Sequence, residues 1–136
     1  MRIKIIIITL FFIGVQSCFF GPDHYEKEVN EYFWLFRKAE SKNTFLGTID
    51  EGIRFSNEYL GPIAEIGWNE KFILIQTKSL DYYIQPIKEN ASIDTITNEL
   101  LGPLTENEFI KYKMEFEIED ELKHKIIYIK KTDNNK

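Results

Sequence analysis

A single cysteine, Cys18, stands in 136 residues, so no disulfide forms within the chain and a stapled, loop-rich scaffold is excluded. The two histidines, His24 and His124, lie far apart, and neither has a second histidine at metal-ligand spacing. No glycine-rich loop of the phosphate-binding kind occurs, and no serine sits in a nucleophile-elbow pattern. Lysine and arginine number 17 against 22 acidic residues, and the formal charge of −5 comes without any basic stripe. That balance argues against a nucleic-acid surface, which needs clustered cations to neutralise phosphates. Internal repeats and low-complexity tracts are also missing. What is plentiful is aromatic: 11 phenylalanines, seven tyrosines and two tryptophans. Together with the many isoleucines they favour strands, and the length is that of one domain.

The first residues, "MRIKIIIITLFFIGVQSC", have the layout of an export signal. Arg2 and Lys4 form a positive start, Ile5 to Val15 form an apolar core, and Gln16-Ser17-Cys18 follow as a cleavage region. The apolar run is shorter than the ~20 residues a membrane-spanning helix needs. "VQSC" resembles the lipobox of bacterial lipoproteins, an aliphatic residue and two small ones before cysteine. Val15 and Ser17 match that pattern, and Gln16 departs from it. The resemblance implies cleavage after Ser17 and lipidation of Cys18, whose sulfur would carry a diacylglyceryl group and whose new amino group would be acylated. Stable anchoring takes two or more chains, at ~0.8 kcal/mol per buried methylene. The alternatives for the thiol are removal with the signal or pairing between chains. Loss of residues 1–17 takes away two basic groups and no acidic one, which moves the formal charge from −5 to −7.

Beyond a short tether, the chain reads as strands. "YEKEV" and "YFWLFRK" flank a turn at Asn30-Glu31, and "TFLGTID" and "GIRF" flank Asp50-Glu51-Gly52. Gly61-Pro62 marks a break. "IAEIGW" and "FILIQT" are joined at Asn69-Glu70, where asparagine tolerates positive φ. "YYIQPI" supplies a third strand, with Pro86 at an edge or strand end. In "GPLTENEFIKYKMEF" the period changes to that of a helix. Thr105 and Glu108 form a capping box, with Leu104 and Phe109 at the staple positions. "ASIDTITNELL" is open between helix and strand, "KIIYIKK" reads as a last strand, and "TDNNK" as a tail.

Candidate chemistry is sparse. His24 in "PDHYEKE" and His124 in "LKHKII" read as solvated residues, and the acidic run "EFEIEDE" as a solvated face. Asn90-Ala91-Ser92 is a formal glycosylation triplet. No catalytic residue, metal site or cofactor site is assigned. The aromatics Tyr32, Trp34, Trp68, Tyr82 and Tyr83 are the candidate ligand contacts, as a stacking platform or peptide groove. Strand alternation sends about half of such residues away from any one core, so packing between sheet and helix is the competing account.

The lipobox, "IAEIGWNEKFILIQTK", "YYIQPI" and "GPLTENEF" together resemble a family of small bacterial lipoproteins, the DUF3997-type proteins. The shared features are a tryptophan-containing hairpin, a strand opening on aromatics, and a Gly-Pro-Leu-Thr segment leading into a Glu-Phe helix. No catalytic residues are established for that family, so none transfer. The expectation is therefore an α+β domain, a meandering antiparallel sheet with one packed C-terminal helix. It comprises a signal peptide (1–17), a lipidated cysteine and tether (18–23), a globular domain (24–131) and a flexible tail (132–136). The protein would be a non-enzymatic binding or interaction module of the cell envelope, held by membrane lipid through Cys18 and facing the periplasm or cell exterior. Its partner would be an envelope protein or peptide and not nucleic acid. The alternative is an inhibitor or immunity-type protein whose acidic domain suits a basic secreted enzyme.

Overall fold

The computed structural model describes residues 26–38 and 40–128. Ser17, Cys18, the tether, His24 and the 132–136 tail lie outside them. The described residues form antiparallel sheets with short helices, an α+β arrangement, but the sheet is not single. β1 (Glu26–Glu28), β2 (Phe33–Arg37), β3 (Thr44–Asp50) and β4 (Ile53–Leu60) make a four-stranded meander. β5 (Ile63–Trp68), β6 (Phe72–Thr77), β7 (Tyr82–Pro86), β8 (Leu101–Leu104) and β9 (His124–Ile127) make a second sheet in the order β8-β7-β6-β5-β9. The break at Gly61-Pro62, a cis peptide, is where the chain passes from one sheet to the other.

The turns show why the strands pair as they do. Asn30 accepts the N–H groups of Tyr32 and Phe33 at 2.8 and 3.0 Å, closing the β1-β2 turn. Glu51 and Gly52 both take positive φ, 48° and 76°, the backbone of a primed hairpin turn whose twist suits antiparallel strands. Asn69 acts differently from the positive-φ expectation. Its side-chain oxygen accepts the N–H groups of Lys71 and Phe72 at 2.8 and 2.9 Å, an Asx turn that leaves its backbone φ negative. β7 is not an edge strand, since β6 and β8 flank it, and Pro86 occupies its end.

The two sheets pack face to face. Phe33, Leu35, Leu46 and Leu60 from the first meet Ile66, Trp68, Ile73 and Ile75 from the second, and all are buried. The helix α1 (Ile93–Thr97), capped by Ser92, adds Ile96, which is fully buried. Its presence settles the ambiguous 91–101 stretch: a local N-cap outweighs the β-branched residues that favoured extension. A second apolar layer covers the back of the second sheet. There Leu74, Ile84 and Ile118 are packed by Phe109, Tyr112 and Leu122. The helix α2 (Glu106–Glu115) carries the capping box read from the sequence, both of its hydrogen bonds being present. One packed C-terminal helix is thus replaced by two short helices, and α2 buries none of its residues completely. The reason is that it lies on the rim of an already complete sheet, and only Phe109 and Tyr112 reach down to it.

Each meander leaves an outer face. On the first sheet Trp34, Phe36, Phe45 and Ile49 cluster there, with ring centroids 5.1 Å apart for Trp34–Phe36 and 5.8 Å for Phe36–Phe45. The Trp34 indole N–H donates to the Phe55 carbonyl at 3.0 Å. Gly47 makes this possible, because a Cβ there would stand 2.5 Å from that carbonyl oxygen and 2.7 Å from the indole nitrogen.

Inside the sandwich one polar side chain is completely buried, that of Gln85 on β7. Its carbonyl accepts the Tyr59 hydroxyl at 2.6 Å. Its amide donates to the Ile96 carbonyl at 2.7 Å and to the Pro86 carbonyl at 3.0 Å. β4, β7 and α1 meet at this group and at the Tyr59 hydroxyl, which also lies 3.4 Å from the Thr97 carbonyl. Tyr59 also stacks on Phe33, centroids 5.5 Å apart, and burial pushes its phenol up from 10.0 to about 12. Gln85→Ala takes one of two partners from the half-buried Tyr59 hydroxyl and from the Ile96 carbonyl, leaves a cavity, and should cost about 2 kcal/mol in denaturant unfolding.

Tyr59 also makes stability depend on pH. Its phenol holds its proton to higher pH in the folded chain than in the unfolded one. The contribution is therefore whole below pH 10 and is lost as pH rises toward 12. Measured by denaturation between those limits, Tyr59→Phe should show a shallower decline than the unaltered chain; equal slopes would contradict the assignment.

Candidate functional site

Alternation along β5, β6 and β7 decides which side chains meet on the back of the second sheet. Glu65 pairs across strands with Gln76, and Gln76 with Tyr82, so a carboxylate, a carboxamide and a phenol stand in one row on one face. The next row holds Gly67 and Leu74, which are also cross-strand partners. Leu122 lies over Gly67, where a Cβ would come within 2.5 Å of its methyl group. α2 runs above, and Phe109 sets its ring 4.8 Å from that of Tyr82. Between the sheet, α2 and the 118–125 segment these side chains enclose a cleft of about 220 Å³.

Two ion pairs line the cleft. Lys125 on β9 meets Glu65 at 2.8 Å, and Lys113 on α2 meets Asp120 at 3.3 Å. The Lys113 ammonium also lies 5.7 Å from the Phe109 ring centre, a cation–π contact that holds it at the mouth. The Gln76 amide donates to the Tyr82 hydroxyl oxygen at 3.1 Å, which leaves the phenol proton directed to another acceptor. Burial raises the Tyr82 pKa first, and the negative charges of Glu106 and Glu65 add to it. The phenol therefore remains a donor throughout the neutral range.

The five aromatics picked from the sequence are dispersed. Tyr32 is buried, and its hydroxyl donates to the Lys88 carbonyl at 3.2 Å. Trp34 lies in the outer cluster of the first sheet. Trp68 is in the inter-sheet core, with the His124 ring 5.1 Å away and the Lys27 ammonium 5.4 Å from its centre. Tyr83 packs against that core, and close to its ring a Cβ on Gly102 would approach to 2.4 Å. Tyr82 alone of the five lines the cleft. Glu65, Gln76, Phe109, Lys113 and Lys125 were not selected from the sequence. The available signal was a polar residue at alternate positions of otherwise apolar strands, Glu65 in "IAEIGW" and Gln76 in "FILIQT".

A larger and more open groove, about 720 Å³, lies between the turns of the first sheet and the 90–93 segment that leads into α1, with Tyr32 in its lining. Glu28, Glu31, Asp50 and Glu51 line it with Arg54, which pairs with Glu28 at 3.1 Å. Among the described residues no group of three or more histidine, cysteine, aspartate or glutamate side chains is placed to hold a metal ion. Among them, too, no helix is long and apolar enough to cross a membrane. Comparison with family models, with curated proteins and with solved structures gives no match.

The roof of the cleft depends on α2 and so on its cap. The Glu108 N–H donates to the Thr105 hydroxyl at 3.2 Å, and the Thr105 N–H donates to the Glu108 carboxylate at 2.8 Å. Thr105→Ala should cost about 1 kcal/mol. In hydrogen exchange the first turn of α2 should lose protection while β5 and β6 keep theirs.

Proposed function

We propose that this chain is a lipid-anchored protein of the bacterial cell envelope, non-enzymatic, whose domain acts as a binding module facing the periplasm or exterior. The observation that carries the binding role is the cleft behind the second sheet. It is a recess on rigid strands with polar groups converging from β5, β6, β7 and β9, which is how specific sites are ordinarily built. Its lysines are held in ion pairs with Glu65 and Asp120, an arrangement that suits recognition of a ligand. The anchoring role is supported by the "VQSC" segment at the end of a short apolar run. The DUF3997-type resemblance supports the same reading.

A second reading is favoured by the acidic groove. Four carboxylates against one guanidinium, on a domain with formal charge −7 once residues 1–17 are removed, suit a basic protein partner. That is the inhibitor or immunity-type role.

Intact-mass analysis of protein extracted from native membranes, beside Cys18→Ser, tests the anchor. The expected form lacks residues 1–17 and gains the mass of acyl chains, and the variant shows no such gain. An unmodified chain in the soluble fraction would overturn it.

A further inference from the structure

We infer that the cleft behind the second sheet takes one neutral sugar ring of a glycan. The inference rests on the binding-module reading and names its ligand class.

Size comes first. At ~30 Å³ per water, a cleft of about 220 Å³ holds roughly seven waters. That is below the range of ordinary drug-sized pockets and is the scale of a single six-membered ring with its substituents.

Charge comes second. Each ammonium in the lining already has a carboxylate, Lys125 with Glu65 at 2.8 Å and Lys113 with Asp120 at 3.3 Å. The lining therefore has no surplus of either sign. A charged ligand would compete with a pair or bring a charge the lining does not balance, whereas an uncharged ligand leaves both pairs as they are.

Hydrogen-bonding pattern comes third. The row Glu65, Gln76, Tyr82 lies across three adjacent strands, spaced by the ~4.8 Å strand separation. It presents an acceptor, then an amide with both kinds of group, then a phenol with a proton to give. Adjacent hydroxyls on a ring each donate and accept, so they match a row of this mixed character. Leu74 and Leu122 supply the apolar wall for the C–H face of such a ring, and Phe109 is engaged with Tyr82 and Lys113 beside it. An apolar side chain of equal size would satisfy the wall and leave the polar row unpaired, which costs binding energy.

The test is an amide-resolved NMR titration of the full chain held in detergent micelles. The probes are D-glucose and N-acetyl-D-glucosamine, with phenylalanine and trialanine as zwitterionic and peptidic comparisons. We expect saturable shifts at Glu65, Gln76, Tyr82 and Phe109 with one or both sugars, at millimolar Kd, and none from the comparisons. Tyr82→Phe keeps the ring packed on Phe109 and should weaken sugar binding about tenfold. Glu65→Gln is a second isosteric variant expected to weaken it as well. Shifts at these residues from phenylalanine or trialanine but not from sugars would overturn the sugar assignment and leave the binding module standing. Silence from every probe at these residues would overturn the sugar assignment and remove the cleft's support for the binding module. Sugar binding unaffected by both variants would place the ligand elsewhere and overturn the site.

Discussion

The Gln85 carboxamide, together with the Tyr59 hydroxyl, ties β4, β7 and α1 to one another. Two antiparallel meanders pressed together by apolar side chains tolerate small slides, because hydrophobic attraction has little directionality. A fully buried amide does not tolerate them, since losing a partner costs about as much as the net worth of several ordinary hydrogen bonds. Its oxygen takes the Tyr59 hydroxyl from β4, and its nitrogen reaches the Ile96 carbonyl of α1. The two sheets and the short helix that plugs their junction are therefore held in one relative placement.

That placement settles what faces outward. With Ile73 and Ile75 committed to the interior of β6, Leu74 and Gln76 must project from the back of the sheet. The same alternation turns Glu65 and Gly67 outward on β5, and Tyr82 on β7. Closure by β9 then brings Lys125 beside Glu65, and the segment before it lays Leu122 over Gly67. The cleft is thus a by-product of core packing on the opposite face, which makes its floor as rigid as the core. Its roof is less so, because α2 is held by a cap and two half-buried rings rather than by a buried stripe.

Much of the local structure was legible. The turns at Asn30, Asp50–Gly52 and Asn69, the strands between them and the α2 capping box all follow from interactions within a few residues. The short helix at 93–97 was harder to read, as its β-branched residues favour extension while Ser92 supplies a cap. The existence of two sheets was not legible. Both faces of β2 are apolar, Phe33 to Phe36 being buried without alternation, so periodicity gives no clue to which side meets a second layer. Gln85 looked like an ordinary strand residue because its partners, Tyr59 and Ile96, come from other parts of the chain. The aromatics were conspicuous in the sequence for their size, and size is what draws Trp34, Trp68 and Tyr32 into packed positions instead of onto a common surface.

By itself, then, the amino-acid order determined most of the turns, most of the extended segments though not β8, where α2 begins, and the lipobox-like "VQSC" with its lone thiol. These depend on φ preferences, on side-chain capping and on composition, all of which act over short stretches. Only the tertiary structure decided that the strands divide into two facing sheets, that Gln85 joins them, and that Glu65, Gln76, Tyr82, Lys113 and Lys125 meet around one recess. Those outcomes depend on which faces are buried against which, and burial is a property of the whole packed chain.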